Sequence, residues 1–270
     1  MKEIAIRAAS GAVYAALIIG GAIYGTWTTA LVFGVATAIG AAEWHRLYFA
    51  HLEKAPPVLL TVVLALATFG LSSAVVLAHD LSTAQVATII ASLLIVACFI
   101  ALRSSAPDPG RSVAGHVATV ALFALPMSCA VHLVHRDPVL LIGFMILLWT
   151  NDTGAYLFGR AMGRNKLMPA VSPGKTWEGF AGGLLVNLGM AWWLAHAWPA
   201  VLPAELWLGM AALITATATI GDLFESALKR SAGVKDSGHI MPGHGGLLDR
   251  FDGYLFAAPM VLLALWALMG

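Results

Sequence analysis

The chain has 270 residues, 60% of them hydrophobic and only 11% charged, with 15 basic and 14 acidic side chains that leave a net charge of +1. Soluble domains carry about a quarter of their residues as charges, and the mean hydropathy here is +0.84, so a soluble globular fold is excluded. Nothing in this balance calls for a nucleic-acid partner.

A hydrocarbon core of about 30 Å needs about 20 apolar residues as a helix, and backbone groups inside it must be bonded internally. The apolar runs are continuous rather than alternating, so the expected class is an all-α integral membrane protein. In chain order the spans are Ile4 to Tyr24, Trp27 to Trp44, Val58 to Ala78, Ala84 to Leu102 and Val113 to Val134, followed by Val139 to Phe158, Phe180 to Trp198, Leu206 to Phe224 and Phe251 to Met269. That makes about nine. The first run is long enough to span and lacks a small-residue cleavage site, so it reads as a retained helix rather than a signal peptide. Tyr24, Trp27 and Trp44 stand at interface depths.

Nine spans place every lysine and arginine except Arg136 on the N-terminal side. Basic residues are retained in the cytoplasm, so the N-terminus is expected there and the C-terminus outside. The chain divides into residues 1–136, a scaffold with short loops that also serves lipid access or dimer contacts, and residues 137–270, a catalytic region with cytoplasmic loops 159–178 and 225–250. Cys98 and Cys129 lie inside spans and read as packed thiols. Gly159/Gly163 and Gly179/Gly183 have the spacing of close helix contacts.

Polar residues crowd into the second half, on the cytoplasmic side. Asp152, Asp222, Glu225, Asp249 and Asp252 sit in or at the edge of apolar helices, where a bare charge is costly and normally faces a partner or a wet cavity. Positions three apart share a helix face, so Asp222 with Glu225, and Asp249 with Asp252, each form a two-carboxylate edge. Hard divalent ions such as magnesium are held by one or two carboxylates plus substrate phosphates. Lys175, Lys229, Arg230, Lys235 and Arg250 would meet those phosphates, and Gly245 and Gly246 would free the backbone for close approach. The pattern reads as metal-assisted phosphoryl or nucleotidyl transfer at a membrane surface.

Plainer readings exist for the individual residues. Asp152, beside Asn151, either pairs with Arg160 across the helix end or serves a substrate. His244 has no second histidine at ligand spacing, and His116, His132 and His196 read as ordinary polar residues within spans. "SPGKT" (172–176) ends like a phosphate-binding P-loop, but the first glycine of that pattern would fall at 169, where Pro169 stands.

The stretch "SALKRSAGVKDSGHIMPGHGGLLDRFD", Ser226 to Asp252, resembles the signature of the phosphatidate cytidylyltransferases (CDP-diacylglycerol synthases), as do "NDTGAYLFGR", "SPGKTWEG" and "GDLFES". The resemblance covers Asn151 to Asp252; the first half is similar only in being hydrophobic. It implies a dimeric enzyme of the cytoplasmic (inner) membrane that joins CTP to phosphatidic acid, giving CDP-diacylglycerol and pyrophosphate, with magnesium alone or with a second cation. By the resemblance Asp222 and Asp249 are the first metal ligands, supported by Asp252. Lys175, Lys229, Arg230 and Arg250 are implied to be catalytic together with Asp222 and Asp249. Asn151, Asp152, Ser172, Glu178, Glu225, Lys235, Asp236, His244, Gly245 and Gly246 are implied to contact substrate. Two alternatives stay open: a CTP-dependent transferase for another lipid acceptor, and an ion-coupled transporter, which would place its acids near the midplane of broken helices.

Overall fold

The computed structural model describes residues 2–78, 82–103, 108–240 and 245–269. Among these residues the fold is all-α apart from one hairpin. Its helices are α1 (Lys2–Tyr24), α2 (Thr26–Tyr48), α3 (Val58–Leu77), α4 (Thr83–Arg103), α5 (Pro109–Ala118), α6 (Leu125–Arg136), α7 (Pro138–Met162), α8 (Trp177–Ala197), α9 (Ala204–Ser231) and α10 (Leu248–Met269). Among the described residues, seven helices are long and apolar enough to cross a membrane, counting Pro109–Arg136 as one rod. Every expected span falls on a helix. The ends differ most at α9, which continues beyond the expected Phe224 to Ser231.

Local chemistry explains the breaks. Gly25 takes a φ of 108° between α1 and α2, a left-handed conformation that favours glycine. Asp137 caps α7 by accepting from the Val139 amide at 2.7 Å, with Pro138 at the first helical position, where its missing N–H costs nothing. Between α5 and α6 the helix widens into a π turn at Thr119–Ala124, directly before Pro126, whose ring cannot fit beneath the Leu122 carbonyl in a regular helix.

Inside a bilayer, helices associate through close packing rather than through expulsion of water, so small residues govern the contacts. On α7 and α8 they form a seam. A methyl group at Gly182 would overlap the Phe158 ring, and one at Gly154 would stand 3.2 Å from the Gly183 backbone. The contact spacing expected of Gly159 and Gly179 is present, each reaching the other's Cα. Asn187 then ties α8 to α9, donating to the Ala211 carbonyl and to Thr215 at 3.1 Å.

A second seam joins α9 to α10. A methyl at Gly221 would overlap the Asp252 carbonyl oxygen, and Gly253 lies against Ala218. This close approach sets Asp222 and Asp252 on facing walls. Deeper in, Tyr14, Phe33, Phe144, Phe251 and Tyr254 stack edge to face where α1, α2, α7 and α10 meet. One hydrophobic core therefore draws on both halves of the chain.

Trp44 packs inside the protein. It is 1% exposed and stacks on Tyr48, Phe123 and Phe224, which occupy the space between α2 and its neighbours. Tyr24 and Trp27 are exposed, and Cys98 and Cys129 are free thiols. His116 and His132 bond backbone carbonyls of Ser112 and Ser72.

Candidate active site

The stretch after α7 folds into a two-stranded antiparallel hairpin, β1 (Lys166–Met168) and β2 (Ser172–Thr176), with Lys166 opposite Thr176. "SPGKT" is thus a strand leading directly into a helix. Thr176 caps α8, its hydroxyl accepting from the Gly179 amide at 3.1 Å. Glu178 anchors the hairpin base: it accepts from the Arg164 and Asn165 amides at 3.1 Å each and from the Asn165 side chain at 2.7 Å.

Hairpin and helix ends enclose a cavity of about 530 Å³. Asn151, Asp152 and Arg160 of α7 line it, with Ser172 and Lys175 of β2, Asp222 of α9, and Asp249, Arg250 and Asp252 of α10. Four aspartates face three basic side chains there, a mixture suited to a cation and an anion together. Ala155, Tyr156, Leu167 and Phe180 add an apolar side to the same space.

The carboxylates divide differently from the helix spacing. Asp222 faces the cavity and pairs with the Lys175 ammonium. Asp152 and Asp252 stand within electrostatic reach of Asp222 and of each other. Glu225, one turn on from Asp222, turns away and is buried against Lys229 at 2.6 Å. Lys229 also meets Asp249 at 2.6 Å. The edges expected within one helix are therefore crossed: Asp222 joins Asp252 at the cavity, and Glu225, behind the wall, joins Asp249 through Lys229.

Asp249 is already well supplied with donors. Its Oδ1 takes the Lys229 bond, and its Oδ2 accepts from the Ser237 amide and hydroxyl at 2.9 Å each and from the Gly246 amide at 2.7 Å. A carboxylate with four donors organises the loop around it and has little left for a cation. Gly245 has a φ of 82°, and a methyl there would come within 2.6 Å of Asp249 Oδ2, so both conformation and space exclude a side chain.

Other expected site residues lie elsewhere. Lys229 and Glu225 sit behind the cavity wall rather than in it. Arg230 is exposed and donates to the Val234 carbonyl, and Lys235 and Asp236 are exposed in the same loop. Gly246 serves through its amide on Asp249, while His244 lies outside the described residues. Asp152 does not pair with Arg160, which donates instead to the Tyr156 hydroxyl at 3.0 Å; Asp152 takes the Asn151 amide at 3.4 Å.

Tyr156, Thr176 and Thr219 line the cavity without having been singled out in the sequence. Glu43 and Ser237 also escaped notice, though both bond to the cavity's framework. An acid inside the apolar run "GAAEWHRLYF" is a signal that could have found Glu43. Nothing marks Ser237 in advance.

Comparison with known proteins places this arrangement. A model of the cytidylyltransferase family matches residues 5–268. The chain belongs to the cytidylyltransferase family. Among its curated relatives, a phosphatidate cytidylyltransferase of Staphylococcus aureus (strain COL) is 47% identical over 122 residues, 44% of this chain and 46% of the relative. One from Bacillus subtilis (strain 168) is 45% identical over 124 residues, 45% of this chain and 46% of the relative. In each comparison the match spans just under half of the relative's length.

Within that family frame, the donor set can be tested against magnesium. Asp222, Asp252 and Asp152 are hard oxygen donors on the walls of one cavity, which suits an ion held by one or two carboxylates plus substrate phosphates. Among the described residues no three histidine, cysteine or carboxylate side chains are gathered closely enough to hold an ion without further ligands. The residues fit a cation that arrives with a phosphate.

Proposed function

We propose that the protein transfers the cytidylyl group of CTP to phosphatidic acid, releasing pyrophosphate and leaving CDP-diacylglycerol in the membrane. The observation that carries this reading is the cavity: aspartates and basic side chains converge at the ends of apolar helices in a space of a small-molecule site's size. The family membership and the names of the relatives support it.

A phosphate oxygen of phosphatidic acid attacks the α-phosphorus of CTP, a new P–O bond forms, and the bond to the β-phosphate oxygen breaks as pyrophosphate departs. The nucleophile belongs to the substrate, so the protein's work is positioning two anions and offsetting their charge. Lys175, Arg250 and Arg160 of the cavity lining would face them, and Ser172 and Asn151 offer hydrogen bonds. Lys229 acts from behind, holding Asp249. Arg230 and Lys235, exposed beyond the cavity, would meet the nucleotide's outer phosphates.

Magnesium is the proposed cofactor, and Asp222 and Asp252 would hold it with Asp152 in support. This puts Asp252 ahead of Asp249, because the oxygens of Asp249 already accept from Lys229, Ser237 and Gly246. When bound, the ion supplies charge neutralisation at the phosphates.

The proposed setting is nine spans in the cytoplasmic membrane, N-terminus inside and C-terminus outside, in a homodimer. Residues 1–136 form the scaffold and 137–270 the catalytic region. The lopsided lysines and arginines support the orientation. Cytosolic CTP and a lipid anchored in the bilayer meet most readily at cytoplasmic helix ends.

The test is direct. Purified protein with CTP, magnesium and phosphatidic acid should release pyrophosphate and form CDP-diacylglycerol, and folded protein that yields neither would sink the proposal. Parallel reactions with other lipid phosphates establish whether phosphatidic acid is the preferred acceptor.

A further inference from the structure

Glu43 lies on α2, in the half of the chain without motifs, and is 4% exposed. A carboxyl group in an apolar helix is costly unless it is partnered, and the partners of Glu43 among the described residues belong to the catalytic segment about two hundred residues away. Ser237 Oγ donates to Oε2 at 3.1 Å, the Leu247 amide to Oε1 at 3.1 Å, and the Leu248 amide to Oε2 at 2.8 Å. Leu247 and Leu248 are at the start of α10, where amides have no partner within the helix and the dipole favours an acceptor.

The surrounding backbone is shaped to Glu43. A methyl at Gly238 would overlap Oε1, and one at Gly246 would come within 2.6 Å of Oε2. The Ser237 hydroxyl lies between two carboxylates and shares its single proton between Glu43 Oε2 and Asp249 Oδ2. A second tie runs from α1, where the Tyr14 hydroxyl donates to the Arg250 carbonyl at 3.2 Å. Glu43 does not line the cavity, but the turn of α10 that it caps carries Asp249, Arg250 and Asp252.

We infer that Glu43 is a positioning residue: it clamps the segments at 237–238 and 246–248 to α2 and so sets the register at which the first turn of α10 presents Arg250 and Asp252 to the cavity. The consequence for catalysis rests on the cytidylyl-transfer reading; the clamp itself does not. Placement of charged groups matters most in the transition state, so loss of the clamp should lower kcat while leaving the KM for CTP little changed.

The experiment compares Glu43→Gln, Ser237→Ala and the double variant, with Glu53→Gln, an exposed carboxylate beyond α2, as control. Glutamine keeps the size but sets an NH2 group against backbone donors. Expected are a kcat about 10- to 100-fold lower in Glu43→Gln, a nearly unchanged KM, and a double variant no worse than the poorer single one. Hydrogen exchange should quicken in residues 245–250 of Glu43→Gln while the cores of α7 and α9 stay protected. Normal kcat, additive losses, or an exchange increase spread over the whole protein would each overturn the inference. If Glu43→Gln does not fold, Glu43→Asp, with both acceptors on a shorter arm, takes its place with the same readouts. If the unmodified protein shows no cytidylyl transfer, the reaction is wrong, and the exchange of residues 245–250 alone decides the clamp.

Discussion

Lys229 bridges two carboxylates, Glu225 one turn earlier on α9 and Asp249 at the start of α10, at 2.6 Å from each. The side chains of Lys229, Glu225 and Asp249 are 14%, 4% and 7% exposed, so the ammonium is the main compensation for two buried acids. Replacing one member of such a set costs about 3–5 kcal/mol, because its partners stay buried and uncompensated. Lys229→Met should therefore lower the thermal midpoint in detergent sharply. Adding Glu225→Leu to that variant should recover part of the loss, and a stability unchanged by Lys229→Met would contradict the bridge.

Asp222 and Asp249 should respond differently to the same change. Asp222→Asn removes charge from the cavity wall without disturbing the loop, so pyrophosphate release should fall at least about 100-fold with little change in thermal midpoint. Asp249→Asn puts an amide among four donors, so activity and thermal midpoint should drop together. Equal thermal losses in the two variants would remove the distinction between them.

The seam between α7 and α8 makes a prediction about packing. Gly182→Ala drives a methyl into the Phe158 ring, an overpacking that costs about 1–3 kcal/mol. Thermal unfolding should show that loss, and Gly182→Ala combined with Phe158→Leu should recover much of it. A methyl at Gly189 of the same helix meets nothing within 4 Å, so Gly189→Ala should leave stability near or slightly above that of the parent.

Removing the Tyr14 hydroxyl tests the tie from α1 to α10. Tyr14→Phe keeps the ring against Phe251 and deletes the bond to the Arg250 carbonyl together with the one to the Trp149 side chain, each worth about 0.5–1.5 kcal/mol. Activity should fall less than in Glu43→Gln, since neutral bonds are lost rather than a charged acceptor shared by three donors. A larger fall than in Glu43→Gln would make α1, not α2, the principal support of α10.

Much of this molecule is readable as a string because the bilayer imposes so plain a rule. A span must be helical and apolar for about 20 residues, so composition alone predicts helices at the positions where they stand. The acids that interrupt those spans also declare themselves, since Asp152, Asp222, Asp249 and Asp252 all line one cavity. Spacing along a helix was a poorer guide. It pairs Asp222 with Glu225, whereas each of these faces a different neighbour, because orientation is set by packing against α10 and not by periodicity within α9.

The sequence by itself determined the membrane class, the helical segments, the polar half and the residue types from which a phosphate site is made, since each follows from local composition and order. Only the tertiary structure decided which carboxylates share a cavity, that Asp249 is held by Lys229 and Ser237, and that Glu43 reaches across from α2. Those outcomes depend on contacts as distant as 205 residues, created where Gly221 and Gly253 let two helices touch and where a buried acid finds unpaired amides. No local pattern encodes such distances; close packing does.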